Sequence, residues 1–340
     1  MSANGTNNAF EQVVRRLAAA DAMLLVTHAR ADGDALGSIV ALARAAEAVG
    51  KSARLLVPDA PPPPRYAFLL DRRPVASGEQ FAALADAVDL VVIVDTCAAG
   101  QLEGLAEVVA ARRDKVVVVD HHATADDLAS VRWMDTSAAA AGVMVGELLD
   151  VLGWPVDADT ARALTTAVTT DTGWLRYANT DGRALRAVAR WLDAGVRPDE
   201  LYRVIYQADR PERLAILART LEGLQFYADG RLAVMTIRSS DFEQTGARPD
   251  ETENFVNEAM RLGSVDTAVT LVENSECVRV SLRSRGSVDV AQIAQRFGGG
   301  GHSRAAGLRR NEPIDALASR LIEACTAALD DARTPGAGRH

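Results

Sequence analysis

The chain holds five histidines, and four of them sit in short polar motifs. His28, Asp32 and Asp34 lie together in His28-Ala-Arg-Ala-Asp32-Gly-Asp34, directly after the apolar run Met23–Thr27 and before a helical pattern. Asp95 ends a second apolar run, and Asp120-His121-His122 ends a third. Asp171 follows a helical stretch in Thr169-Thr-Asp171-Thr-Gly173. Carboxylates crowded in this way repel and raise one another's pKa values. Four aspartates at −1 are balanced by two divalent cations. Oxygen and imidazole donors without thiolates suit Mn²⁺, or Mg²⁺, better than structural zinc. Two such ions about 3.5–4 Å apart can clamp a phosphoryl oxygen and acidify a water between them. Taken singly, each aspartate at a strand end also reads as a helix cap, Asp34 among them; a set with two imidazoles asks for more.

These residues are far apart in sequence, so the fold must collect them. Met23–Thr27, Arg54–Val57, Leu90–Asp95 and Lys115–Asp120 read as buried strands. Helical patterns alternate with them, such as Ala35–Val49 with Leu36, Ile39, Val40 and Ala43 on one face. Ala158–Val168 and Arg183–Ala194 read as further helices. Strand–helix alternation predicts a doubly wound, mainly parallel α/β sheet, which binds ligands beyond the carboxyl ends of its strands. After Gly195–Pro198 the grammar changes. Strands at Leu232–Ile237, Thr267–Val272 and Val278–Leu282 predict a smaller C-terminal α/β domain. The expected organisation is a catalytic domain over 1–195, a helical linker over 196–222, a second domain over 223–330 and a disordered tail over 331–340.

With 340 residues, 48% hydrophobic and 24% charged, the chain is long enough for two cores and too apolar for global disorder. Its apolar runs are strand-sized, which predicts no membrane span. A polar N-terminus argues against a secretory signal. Cys97, Cys277 and Cys325 form no Cys-x-x-Cys pair, as expected of a reduced, cytoplasmic chain. A net charge of −9 argues against long nucleic acid as a partner. Residues 281–310 depart from that balance, with six arginines (283, 285, 296, 304, 309 and 310) against the single acid Asp289. There Gly298 to Gly301 precede His302 and Arg304. Successive glycines predict an anion-binding nest of backbone N–H groups, with His302 and Arg304 as donors to a phosphate or base edge. The plainer alternative is a flexible glycine turn.

The triplet Gly50-Lys51-Ser52 has no glycine five residues before Gly50 and follows a helix, so it reads as a helix C-cap and not as a phosphate loop. No Gly-x-Gly-x-x-Gly follows the first strand, and no Gly-x-Ser-x-Gly elbow occurs.

Asp120-His121-His122, together with His28-x3-Asp32-x-Asp34-x2-Gly37-Ser38 and Asp95, resembles the DHH phosphoesterase superfamily. Gly298-Gly-Gly-Gly301-His302 is similar to the signature of its DHH-associated C-terminal domain. Length and domain order resemble the nanoRNase/pAp-phosphatase subfamily, which includes cyclic-di-AMP phosphodiesterases. The resemblance implies an active site in the cleft between the domains. It implies His28 and Asp32 on one Mn²⁺, Asp34, His121 and Asp171 on the other, and Asp95 bridging both. It further implies His122 on the scissile phosphate and Asp120 orienting the first imidazole of the pair. Gly299, Gly300, Gly301, His302 and Arg304 would bind substrate, with Arg283, Ser284, Arg285 and Asn257 as further candidates. The implied substrates are short RNA, linear or cyclic dinucleotides such as cyclic-di-AMP, and 3′-phosphoadenosine 5′-phosphate, acted on by a homodimer. In that dimer the Ala- and Val-rich stretch Ala138–Leu149 would either pair or be core. The alternatives are a family-II-like inorganic pyrophosphatase and an inactive nucleotide sensor.

Overall fold

The computed structural model describes residues 3–123 and 125–332. The chain forms two compact units, Met1–Ala208 and Asp209–His340. The division falls inside the stretch read as a helical linker, between the helices Pro198–Tyr206 and Pro211–Glu222. Of the tail expected over 331–340, Asp331 ends the last helix, Ile314–Asp331, and residues from 333 onward lie outside the described residues.

The first unit is built on strands β1 (Ala22–Val26), β2 (Ser52–Leu56), β3 (Val75–Ala76), β4 (Leu90–Val94), β5 (Val116–Asp120) and β6 (Val131–Met134). They form one sheet in the order β3-β2-β1-β4-β5-β6, with every pair parallel. β1, β4 and β5 are almost continuously apolar because helices cover both faces. Alternation still sorts their side chains. Met23, Leu25, Val92, Val94, Val117 and Val119 enter one core, while Leu24, Val26, Val91, Ile93, Val116 and Val118 enter the other. The winding direction reverses between β1 and β4, so a crevice opens beyond their carboxyl ends.

On the first of these faces the helices Gly33–Ala48, Ala141–Leu152 and Ala158–Asp171 pack closely. Gly37 makes this possible, because a Cβ there would come 2.5 Å from the Ala163 carbonyl oxygen. From Ala138 to Leu149 every residue but Glu147 is buried within the chain, so this stretch is core. The helix Ala3–Ala19 precedes β1 and has no counterpart in the sequence reading. Gly50, at φ 82°, lies in the turn after the helix Gly33–Ala48.

The second unit has strands β7 (Gln225–Tyr227), β8 (Leu232–Ile237), β9 (Thr267–Glu273), β10 (Val278–Ser284), β11 (Gly300–His302) and β12 (Ala305–Arg310). Their order is β11-β12-β10-β9-β8-β7, antiparallel except for the β8–β9 pair. Leu232, Val234, Val269 and Leu271 face the helices Val290–Arg296 and Ile314–Asp331. Ala233, Met235 and Ala268 face the short helix Val256–Ala259. No described helix in either unit is long and apolar enough to cross a membrane.

Candidate metal centre

Six of the residues singled out in the sequence meet at the crevice of the first sheet. His28 follows β1, Asp95 follows β4, and Asp120 ends β5 with His121 and His122 behind it. Asp32 is the N-cap of the helix Gly33–Ala48, its Oδ1 accepting from the N–H groups of Asp34 and Ala35 at 3.0 and 3.1 Å. The cap is therefore Asp32 and not Asp34. Asp171 is the last residue of the helix Ala158–Asp171, so one helix starts at the crevice and its packed neighbour ends there.

The six fall into two groups around a shared carboxylate. His28 Nε2 lies 3.5 Å from Asp95 Oδ2 and 3.9 Å from Asp32 Oδ1. His121 Nε2 lies 3.4 Å from Asp95 Oδ1, 3.7 Å from Asp34 Oδ2 and 3.8 Å from Asp171 Oδ2. Asp95 thus turns one oxygen to each imidazole. Donors about 2.1 Å from a common cation stand roughly 3.0–3.4 Å apart, so a small contraction around each group would complete a coordination shell. The groups His28–Asp32–Asp95, Asp34–His121–Asp171 and Asp95–His121–His122 each have donor atoms within 4.8 Å of one another. Asp95 Oδ1 and His121 Nε2 are buried without a hydrogen bond, a costly arrangement that a divalent cation between them would relieve. The donor set fits such ions.

Backbone carbonyls aim both imidazoles. His28 Nδ1 is 2.8 Å from the Ala29 oxygen and His121 Nδ1 is 3.2 Å from the Ala138 oxygen. An Nδ1–H given to a carbonyl leaves the Nε2 lone pair for a metal. Asp34 is buried, accepting from Ser38 Oγ at 3.2 Å and from the N–H groups of Ala141 and Gly142 at 2.7 and 2.9 Å. These last two donors escaped the sequence reading. Their signal was indirect: the helix Ala141–Leu152 begins after Ala140, which offers no capping side chain, so its N-terminus takes a carboxylate from elsewhere. Asp95 sits in left-handed backbone at φ 66°, conformational strain of the kind found at functional sites.

Burial and the neighbouring charges pull the groups of this cluster in opposite directions. Burial alone would lower His28 and His121, but Asp95 beside both, Asp32 beside the first and Asp34 beside the second push each imidazole up to about 10. Burial lifts Asp171 against the pull of His121, with Asp95 and Asp32 adding to the rise, to about 7. Burial first, and then the charges of Asp95 and Asp171, push Asp34 well above the usual carboxylate range. Asp95 goes the other way: burial opposes its ionisation, yet the His121 and His28 imidazoles hold it well below that range.

Asp120 departs from the role its family resemblance implied. Its Oδ1 receives His122 Nδ1 at 2.8 Å and the His122 backbone N–H at 3.2 Å. It therefore orients the second imidazole of the pair, because the first is already held by the Ala138 carbonyl. Burial would lower His122, and Asp120 with Asp95 raises it.

The glycine run of the second unit is not an open nest. Gly298 and Gly299 donate to the carbonyls of Gln295 and Ala294 at the end of the helix Val290–Arg296, and Gly300 and Gly301 belong to β11. Glycine is required for closeness: a Cβ on Gly299 would strike the Gly307 carbonyl, and one on Gly301 would come 2.5 Å from the Ala305 oxygen. His302 and Arg304 are exposed at the hairpin between β11 and β12. The Ser284 N–H donates to the Arg304 carbonyl at 2.9 Å, bringing those two residues together. Ser284 is buried, its Oγ accepting from the Gly286 N–H. Arg283 Nη1 donates to the Leu282 carbonyl at 3.0 Å. Asn257 lies on the helix Val256–Ala259, on the sheet face opposite the helix Val290–Arg296. Arg285 is a staple, donating to the carbonyls of Val265, Met260 and Leu262, and Arg310 pairs with Glu312.

Comparison with known proteins agrees with this architecture. Residues 22–169 match the DHH family, N-terminal domain, and residues 229–330 match the DHHA1 domain. A bifunctional oligoribonuclease and PAP phosphatase NrnA of Thermus thermophilus is 32% identical over 88% of this chain and 88% of its own. An exopolyphosphatase-related protein of Bacteroides fragilis shares the fold with a TM-score of 0.89 at 22% identity, covering 95% of this chain and 98% of that one. RecJ of Thermus thermophilus, solved with Mn²⁺, has a TM-score of 0.57 at 16% identity, covering 95% of this chain and 55% of its own. The chain belongs to the DHH family and carries a DHHA1 domain in its second unit.

Proposed function

We propose that this phosphoesterase hydrolyses short oligoribonucleotides, linear and cyclic dinucleotides such as cyclic-di-AMP, and 3′-phosphoadenosine 5′-phosphate, with Mn²⁺ as its metal. The observation that carries the reading is the Asp95 carboxylate, one oxygen facing His28 and the other facing His121. His28 and Asp32 would hold one ion, Asp34, His121 and Asp171 a second, and Asp95 both. When bound, the ions supply Lewis acidity to the phosphoryl oxygens and acidify water. His122, its Nδ1 held by the buried Asp120 carboxylate, would donate to a phosphate oxygen. The NrnA relative's two named activities support the oligoribonucleotide and 3′-phosphoadenosine 5′-phosphate classes, and a local arginine cluster in an acidic chain suits short substrates better than long ones. We further propose that Arg304 and His302 hold the nucleotide, that Arg283, Ser284 and Asn257 contribute to that site, and that the protein acts in the cytoplasm as a homodimer.

The test is a substrate panel on metal-stripped protein resupplied with Mn²⁺, Mg²⁺ or Ca²⁺. Diadenylate, 3′-phosphoadenosine 5′-phosphate and cyclic-di-AMP should be cleaved, and Mn²⁺ should restore more activity than Ca²⁺, whose larger and looser shell suits the site poorly. Hydrolysis of pyrophosphate alone, or restoration by Ca²⁺ alone, would defeat the reading.

A further inference from the structure

The turn that follows Asp171 has an uncommon backbone. Gly173, Trp174 and Leu175 all sit in left-handed conformations, at φ 56°, 61° and 64°. For tryptophan and leucine that conformation is unfavourable, so the surrounding contacts must over-determine it. The Trp174 N–H donates to the Thr169 carbonyl at 2.6 Å, and those of Arg176 and Tyr177 both donate to the Thr172 carbonyl at 3.0 Å. Asn179 Nδ2 reaches the carbonyls of Asp171 and Ala139 at 3.2 and 3.0 Å. The chain is thereby folded back until Tyr177 is one hydrogen bond from the residue next to Asp171.

Tyr177 is supported on one side and open on the other. A Cβ on buried Gly173 would collide with its Cζ, Cε1 and Cε2 together, so the ring lies over the glycine. The residue is nonetheless 47% exposed. Trp174 anchors the turn from the other side, edge-on to Tyr202 and Tyr206 with ring centroids at 5.0 and 5.7 Å. In a chain with 5% aromatic residues, three of the five tyrosines and one of the four tryptophans gather at this turn. A core would bury such rings; here Tyr177 and Tyr202 are exposed, and Tyr177 follows a candidate ligand carboxylate by six residues.

We propose that Tyr177 is a stacking platform for the base of the nucleotide whose phosphate occupies the centre at Asp95 and Asp171. This rests on the proposed function and assigns it a base-binding residue in the first unit. Stacking accepts any base, so Tyr177 makes the enzyme require a nucleobase without choosing among sequences. The turn's hydrogen bonds hold the Tyr177 backbone to that of Thr172, next to Asp171, and the ring rests on Gly173, a preorganisation that a freely mobile side chain would not provide.

The test uses the full chain with Mn²⁺ and compares 3′-phosphoadenosine 5′-phosphate with ribose 3,5-bisphosphate, which lacks only the base. The wild-type protein should prefer the first. Tyr177→Ala should reduce that preference by about five- to hundred-fold, and Tyr177→Phe, which keeps the ring, should retain most of it. Adenosine monophosphate should quench tryptophan emission in the wild type through Trp174 and lose that effect in Tyr177→Ala. Equal losses on both substrates would overturn the proposal, as would a Phe variant as impaired as the Ala variant. So would a change of oligomeric state in Tyr177→Ala, which would make the ring a contact between copies. A wild-type protein that cleaves neither substrate but still binds the monophosphate through Tyr177 would bring down the proposed function and leave the platform standing.

Discussion

In the first unit the clustered residues arrive from β1, β4, β5 and two helix ends, whereas in the second the glycine, histidine and arginine residues follow one another along a single hairpin. The first cluster is centred on the buried carboxylates Asp34 and Asp95, and Asp95 Oδ1 and His121 Nε2 have no hydrogen-bond partner. The hairpin is exposed, and its glycine backbone is engaged by its neighbours. In the proposed reading, the chemistry belongs to the first cluster, where the His121 imidazole and the shared Asp95 carboxylate leave donor atoms unsatisfied. Where a motif satisfies itself, what remains for a ligand is the exposed side chains. Substitutions should divide accordingly: in the first unit they should remove function at little cost to folding, and in the second they should separate binding from stability.

The largest effect is expected at Asp95. Asp95→Asn keeps size and burial but deletes the charge that both imidazoles share, so turnover on every substrate should fall to background and metal content should drop. Circular dichroism should show a folded protein, because asparagine fills the same buried space. A variant with near-wild-type turnover and two bound ions would remove Asp95 from the centre.

Arginines sharpen the contrast in the second unit. If Arg304 holds the nucleotide, Arg304→Ala gives up a charge-assisted contact, roughly ten- to two-hundred-fold in kcat/KM on a dinucleotide. A minimal chromogenic phosphodiester should suffer much less. Arg285→Ala should do the reverse, lowering the urea midpoint of the second unit through its three lost carbonyl contacts while sparing dinucleotide affinity. Equal loss on both substrates for Arg304→Ala would place that arginine in the scaffold.

Glycine at the hairpin should prove structural. Gly299→Ala forces a methyl against the Gly307 carbonyl, and overpacking of this kind costs about 1–3 kcal/mol. The measurement is denaturant unfolding of the full chain with and without the substitution. A wild-type midpoint would mean that the hairpin yields easily and that its closeness is incidental.

Much of the first unit could be read before any coordinates. Continuous Val and Ile runs gave β4 and β5, and a polar residue closing each run gave Asp95 and Asp120. Once alternation implied a parallel sheet, topology alone brought those ends together. What stayed hidden involved backbone partners, which sequence patterns do not encode. The Ala138 carbonyl on His121 and the amides of Ala141 and Gly142 on Asp34 are of that kind, and the first of them leaves Asp120 to pair with the His122 ring. The glycine run misled for the same reason: its composition announces conformational freedom and close approach, and only the β11–β12 register shows which of the two is used.

The smallest effect tests the charge balance that distinguishes the buried centre from the hairpin. Without divalent ions, His28 and His121 retain protons up to about 10, so their contribution to stability is complete below about 6.5 and is lost as pH rises toward 10. Asp171, raised to about 7, also favours its protonated form when folded, and its contribution is lost as pH rises from about 3.9 through 7. Asp95, held low, contributes above the ordinary carboxylate range and is constant near neutrality. Every group that changes between pH 6 and pH 8 therefore weakens the metal-free first unit as pH increases. Mn²⁺ must displace those protons, and fewer stand in its way at the higher pH. The rise in melting temperature on adding Mn²⁺ to stripped protein should accordingly be larger at pH 8 than at pH 6 by a few degrees. Calorimetric titrations in buffers of different ionisation heat should register proton release. Arg304→Ala, far from these groups in the sequence, should show the same pH trend as the wild type, and Asp95→Asn should flatten it. A gain that is flat or falls with pH in the wild type would mean that the cluster binds its cations without giving up protons, and the charge balance drawn here would be wrong.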